Sequence, residues 1–121
     1  GRSEMQYEYF YGAQAEQFSF YRIPKALFTE PNFRELSTDA KVLYGILLDR
    51  MSLSLKNQWL DAQNKVYIIF TVDEIMDALN CANQKATRLM VELEKQAGLI
   101  ERKRQGLGRP NLIYVKNFAA R

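Results

Sequence analysis

Between Phe70 and Tyr114 the chain reads FTVDEIMDALNCANQKATRLMVELEKQAGLIERKRQGLGRPNLIY, and three local signals follow one another there without a gap. Thr71-Val72-Asp73-Glu74 has the spacing of a capping box, in which the Thr71 hydroxyl accepts from the Glu74 amide while the Glu74 carboxylate reaches back. Phe70 before the cap and Ile75 at the fourth helical position have the spacing of a hydrophobic staple. Val72, Ile75, Met76 and Leu79 supply one apolar face. Asn80 tolerates the left-handed conformation that ends a helix, and Cys81-Ala82 are small enough for a tight turn. Asn83 reads as the cap of a second helix, whose Ala86, Leu89, Met90, Leu93 and Ala97 recur at helical spacing and point inward. Gly98 ends it. Two strands then follow, Leu99 to Gln105 and Asn111 to Val115, folded around Gly106-Leu107-Gly108-Arg109-Pro110 and anchored by Ile100, Ile113 and Val115. Helix, turn, helix and ribbon in that order predict an α+β winged helix-turn-helix: a three-helix core with a small antiparallel sheet, preceded by an N-terminal arm.

The remaining segments are fitted around that run. We take residues 1–35 as the arm, with residues 1–4 ahead of Met5 read as an expression scar, and residues 36–118 as the domain. Seven aromatics crowd fifteen residues of the arm: Tyr7, Tyr9, Phe10, Tyr11, Phe18, Phe20 and Tyr21. Tyr7-Glu8-Tyr9 and Phe18-Ser19-Phe20 alternate as strands do. Such an arm either lies on its own domain or packs against a second subunit, and Tyr7, Tyr9, Phe10, Tyr11, Phe18 and Phe20 are the candidate dimerisation residues. Ser37 caps a predicted helix whose Ala40, Leu43, Tyr44, Leu47, Leu48 and Met51 form one buried stripe. That helix is scaffold, although Ser37, Thr38 and Lys41 at its front could also meet a phosphate. From Ser52 to Lys65 we expect a polar loop or small hairpin, and Val66–Phe70 is read as a third strand of the sheet.

The net charge of +3 is unevenly placed. Residues 1–84 carry 8 basic against 11 acidic side chains, whereas residues 85–121 carry 9 against 3. The excess therefore falls on the second helix of the motif and on the ribbon, the two elements of a winged helix that face a duplex. On the helix, Asn83, Gln84, Lys85, Thr87 and Arg88 occupy the first two turns, where base edges and phosphates are met. Arg suits guanine, Gln suits adenine, and a Thr methyl suits thymine. Glu92 and Glu94 would repel phosphate and confine contacts to the front half. On the ribbon, Arg102, Lys103, Arg104, Gln105 and Arg109 are candidates, Arg109 for a minor groove or a phosphate. Basic residues on an exposed edge also guard against aggregation, which is the structural alternative.

Other classes find little support. The chain has no histidine and one cysteine, Cys81, so no nucleophile–base pair stands out, and neither a catalytic site, a cofactor nor a metal is expected. Asp73, Glu74 and Asp77 belong to a helix start. No apolar run is long enough to span a bilayer, and the lone cysteine fits a reducing cytoplasm. A transcriptional repressor and a protein-interaction module remain open on these grounds, since one fold serves several jobs.

Three segments, FYRIPKALF (Phe20 to Phe28), LSTDAKVLYGILLDRMSLSLKN (Leu36 to Asn57) and GLIERKRQGLGRPNLIYV (Gly98 to Val115), resemble the N-terminal domain of RepA-type plasmid replication initiators of Gram-positive bacteria. The likeness runs from about Tyr7 to Phe118. It implies a homodimeric winged helix that binds repeated sites on double-stranded DNA in a plasmid origin. It also implies a C-terminal domain, similar to primosome-assembly proteins, that recruits host replication proteins; ending at Arg121, the chain would be the isolated DNA-binding part. The DNA sequence recognised does not carry over.

Overall fold

The computed structural model describes residues 6–12 and 17–119, so the expected scar at residues 1–4 and the end at Arg121 lie outside the described residues. Among the described residues, four α-helices and one ribbon make up the fold: α1 (Ala26–Thr29), α2 (Thr38–Lys56), α3 (Val72–Leu79), α4 (Asn83–Val91), β1 (Ile100–Lys103) and β2 (Leu112–Val115). A 3-10 turn, Pro31–Phe33, lies between α1 and α2, and a π-helical turn, Glu92–Gln96, prolongs α4.

The spine is α2. Ser37 caps it as expected, its hydroxyl accepting from the Ala40 amide at 3.2 Å. The helix runs past Met51 to Lys56, consuming a turn and a half that the polar sequence assigned to a loop. Leu53, Leu55 and Lys56 are good helix formers, and Ser54 turns inward, its hydroxyl donating to the Arg50 carbonyl at 3.4 Å. Ala40, Leu43, Tyr44 and Leu47 are buried as the stripe requires, together with Ile46. Lys41 is buried too, with its ammonium 4.5 Å from the centre of the Phe28 ring. That placement withdraws Lys41 from the phosphate role considered for it.

Gly45, in the middle of α2, has a specific reason to be glycine. A Cβ there would meet Ile23 Cγ1 at 2.9 Å and the Arg22 carbonyl oxygen at 3.0 Å. The segment before α1 therefore lies directly on α2 at this point.

Residues 23–35 are not an arm. Leu27, Phe33 and Leu36 are core residues, and Ile23 packs against that core, so the folded domain starts well before residue 36. The expected strands at Tyr7–Tyr9 and Phe18–Phe20 do not form, and these residues are exposed. Phe10 meets Phe18 edge-on at 6.0 Å, and Phe18 meets Phe20 at 6.3 Å.

The sheet has two strands, antiparallel, with Ile100 opposite Val115 and Lys103 opposite Leu112. The predicted third strand at Val66–Phe70 shrinks to a single bridge between Ile68 and Ile113, with hydrogen bonds of 2.8 and 2.9 Å. A tight turn precedes it. Leu60 bridges Val66, Trp59 stacks on Tyr67 at 6.3 Å, and the Asp61 carboxylate accepts from the Gln63 and Lys65 amides at 2.8 Å each. The Tyr114 hydroxyl donates to Asp61 at 3.0 Å and ties this turn to β2.

Candidate nucleic-acid interface

Helix α3 is set by its front end. Thr71 Oγ1 accepts from the Glu74 amide at 3.2 Å, and Glu74 accepts from the Thr71 amide at 3.0 Å, completing the capping box. The Thr71 amide is the first cause of a Glu74 carboxyl held below its ordinary range; the Arg50 guanidinium, 3.2 Å away, adds to it. Arg50 also lies over the Phe70 ring at 4.7 Å, so α2 and α3 share one polar joint. Phe70 and Ile75 are both buried, as a staple requires. Asn80 ends the helix with φ of 54°, in the left-handed region expected for it.

After the turn, α4 begins one residue earlier than expected. Ala82 is its N-cap and offers no side-chain acceptor, so Asn83 is the first helical residue and not the cap. Asn83 Oδ1 lies 3.5 Å from the Thr87 hydroxyl, at the outer limit of a hydrogen bond. Asn83, Gln84, Thr87 and Arg88 are all exposed, while Ala86, Leu89 and Met90 are buried. The aromatic N-terminal segment does not cover these four side chains. Lys85 is only half-exposed, with its ammonium 2.7 Å from Asp39 at the front of α2.

Other contacts fix the back of this helix. Glu92 accepts from both the amide and the hydroxyl of Ser37, the latter at 2.9 Å, and Gln96 donates to the Glu35 carbonyl at 3.2 Å. Glu94 takes the Arg102 amide at 3.1 Å and its guanidinium at 2.8 and 2.7 Å. Partial burial pushes the Glu94 carboxyl upward, but the Arg102 hydrogen bonds outweigh it and the net shift is downward. The two glutamates expected to repel phosphate thus have internal partners, and they brace α4 against α2 and the ribbon.

Arg102 is accordingly on the inner side of β1, next to Ile100, while Glu101 and Lys103 face outward. Lys103, Arg104, Gln105 and Arg109 are exposed. Gln105 donates to the Pro110 carbonyl at 2.8 Å and closes the ribbon near its end. Arg109 and Pro110 border a groove of about 280 Å³ with Thr71 and Val72 of the α3 front and Met90 of α4 as further walls. The wing is therefore folded beside the helix–turn–helix. Among the described residues, Arg88, Lys103, Arg104 and Arg109 form no ion pair, whereas Lys85 and Arg102 do.

The pairings of Asp39 with Lys85 and of Glu94 with Arg102 are not read from the sequence. Asp39 is distant from Lys85 in the chain and carries no local signal of the contact. The Glu94–Arg102 pair had one: eight residues apart, with Gly98 reversing the chain between them.

The family described as the N-terminus of replication initiator protein A matches residues 19–121. A "41 kDa protein" of Lactobacillus helveticus is 33% identical over 102 residues, covering 84% of this chain and 28% of that protein, so the chain spans little more than a quarter of that relative. Among solved structures, an "N-Terminal domain of DNA binding protein" is 38% identical with a TM-score of 0.75, over 93% of this chain and 85% of the other. A "Rep-DNA complex" is 38% identical with a TM-score of 0.75, over 91% and 84%. An "MDR initiator" is 40% identical with a TM-score of 0.72, over 91% and 86%. No helix among the described residues is long and apolar enough to cross a membrane.

Proposed function

The chain belongs to the family of replication initiator protein A N-termini, and from that premise we propose that it is the duplex-DNA-binding domain of a plasmid replication initiator. It works in the cytoplasm, binds without chemistry on the DNA, and needs no cofactor. The observation that carries this reading is the distribution of exposed polar groups. Gln84, Thr87 and Arg88 stand exposed on the front turns of α4, and Lys103, Arg104 and Arg109 stand exposed on the adjacent ribbon. Helix α4 would read base edges in the major groove, while the ribbon would grip backbone or minor groove alongside. A homodimer joined through the aromatic segment (Tyr7 to Phe20) would supply a second half-site. Host replication proteins would be recruited by sequence beyond this chain.

Footprinting on the DNA that flanks the encoding gene tests the proposal. Tandem protected repeats are expected; protection of a lone promoter palindrome would make the chain a repressor, and no salt-sensitive protection anywhere would refute duplex binding. Within a protected site, Arg88→Ala should cost about 1–3 kcal/mol and relax preference at one base pair.

A further inference from the structure

The most exposed large apolar side chain among the described residues is Leu107, at 103% relative exposure. It sits at the turn of the ribbon, and its surroundings look built to present it. Gly106 and Gly108 on either side have φ of 116° and 76°, conformations that other residues adopt only with strain. Just beneath, the Gln105 side chain donates to the Pro110 carbonyl at 2.8 Å and the Arg109 amide donates to the Gly106 carbonyl at 3.3 Å. The turn is thus closed twice, and Pro110 stiffens the exit. Arg104 and Arg109 flank the tip and are exposed.

A leucine held in water at the end of a cross-braced, cationic ribbon gains nothing within the described chain. A turn that only had to reverse the strands would take a polar residue at this position. Proteins that contact the minor groove do use such a combination: basic side chains hold the groove walls while an apolar wedge enters a base step and partly unstacks it.

We propose that Leu107 is a wedge that enters the minor groove between two base pairs and bends the bound duplex, with Arg104 and Arg109 seating the ribbon on the flanking phosphates. This rests on the duplex-binding reading and adds to it a deformation of the DNA. Flexible pyrimidine–purine steps would be favoured at the insertion point, so part of the site preference would lie at a base step that no side chain of α4 touches.

The experiment uses the full chain and a duplex selected by it from a random-sequence pool, carrying a donor and an acceptor dye at its two ends. Binding of the wild type should shorten the end-to-end distance by a bend of roughly 20–90°. Permanganate should also find a hyper-reactive thymine at one step beneath the ribbon. Leu107→Ala and Leu107→Ser should still bind but lose at least about half of the bend and the hyper-reactivity, whereas Leu107→Met should keep both. Because the side chain is wholly exposed, the variants should melt as the wild type does. A straight wild-type complex, or an alanine variant that bends DNA as fully as the wild type, overturns the wedge and leaves duplex binding standing. Failure to select any duplex defeats both.

Discussion

Lys103 sends its ammonium into solvent, while Arg102, the residue before it, turns its guanidinium onto Glu94. Salt dependence of DNA binding counts released counterions, so only a charge free to meet a phosphate contributes. Lys103→Ala should therefore weaken binding to all sequences alike and flatten the slope of log affinity against log salt by about one unit. Arg102→Ala should act differently, because it strands Glu94 where the side chain is only 15% exposed. Its cost of about 1–2 kcal/mol should appear as lost stability, intermediate between exposed and buried pairs. Salt-titrated binding and a thermal melt on the two variants separate these outcomes; equal effects in both assays would refute the division of labour. The sequence alone offers Arg102 as a DNA contact, because alternation along a strand gives sidedness but not which side faces a helix. Lys85 meets a similar limit: its exposure is legible in the sequence, its partner Asp39 is not.

At the scale of elements, legibility follows the range of the interactions. The capping box of α3, the left-handed Asn80 and the glycine exit at Gly98 rest on contacts within a few residues, and each stands as read; the ribbon around Gly106 forms as well, with strands shorter than expected. The strand at Val66–Phe70 and the far end of α2 depend on what lies across the molecule, and both came out differently. The sheet ran out of partners for the first; inward-turning Ser54 carried the second onward. A local device also makes the sharpest prediction for pH. The Glu74 carboxyl sits below its ordinary value of 4.5, first through the Thr71 amide and then through Arg50. A lowered folded value means the stabilisation is complete above the unfolded pKa and is lost as pH falls through the folded one. Glu74→Gln should therefore melt earlier than the wild type near neutral pH, and the gap should narrow at about pH 3. Melting curves at the two pH values decide it, and a constant gap would mean that the charge contributes nothing.

At the scale of the whole molecule, α2 gathers the segments around Ile23 and Phe118. Phe118 packs edge-on against Phe33 at 5.4 Å and tilted against Tyr44 at 6.1 Å, and the Tyr44 hydroxyl donates to the Lys116 carbonyl at 2.8 Å. Burial pushes the Tyr44 phenol up to about 12, in keeping with a closed joint. On its Gly45 side the helix receives Arg22 and Ile23, immediately behind the exposed aromatics Phe18, Phe20 and Tyr21. Propensity and packing oppose one another there. Alanine in place of a mid-helix glycine gains about 1 kcal/mol, but overfilling a tight contact costs about 1–3 kcal/mol, and here one of the crowded atoms is a backbone oxygen that cannot swing away. Packing should win: Gly45→Ala should melt slightly below the wild type, and Gly45→Val, bulkier and β-branched, clearly below it. If the proposed dimer runs through the aromatic segment, displacing its base should also weaken self-association while leaving the α4 and ribbon groups untouched. Sedimentation of Gly45→Val beside the wild type should then show a raised dimer dissociation constant, with each folded protomer still binding a single half-site duplex as before. A valine variant that melts early yet dimerises as tightly as the wild type would place the subunit contact elsewhere on the molecule.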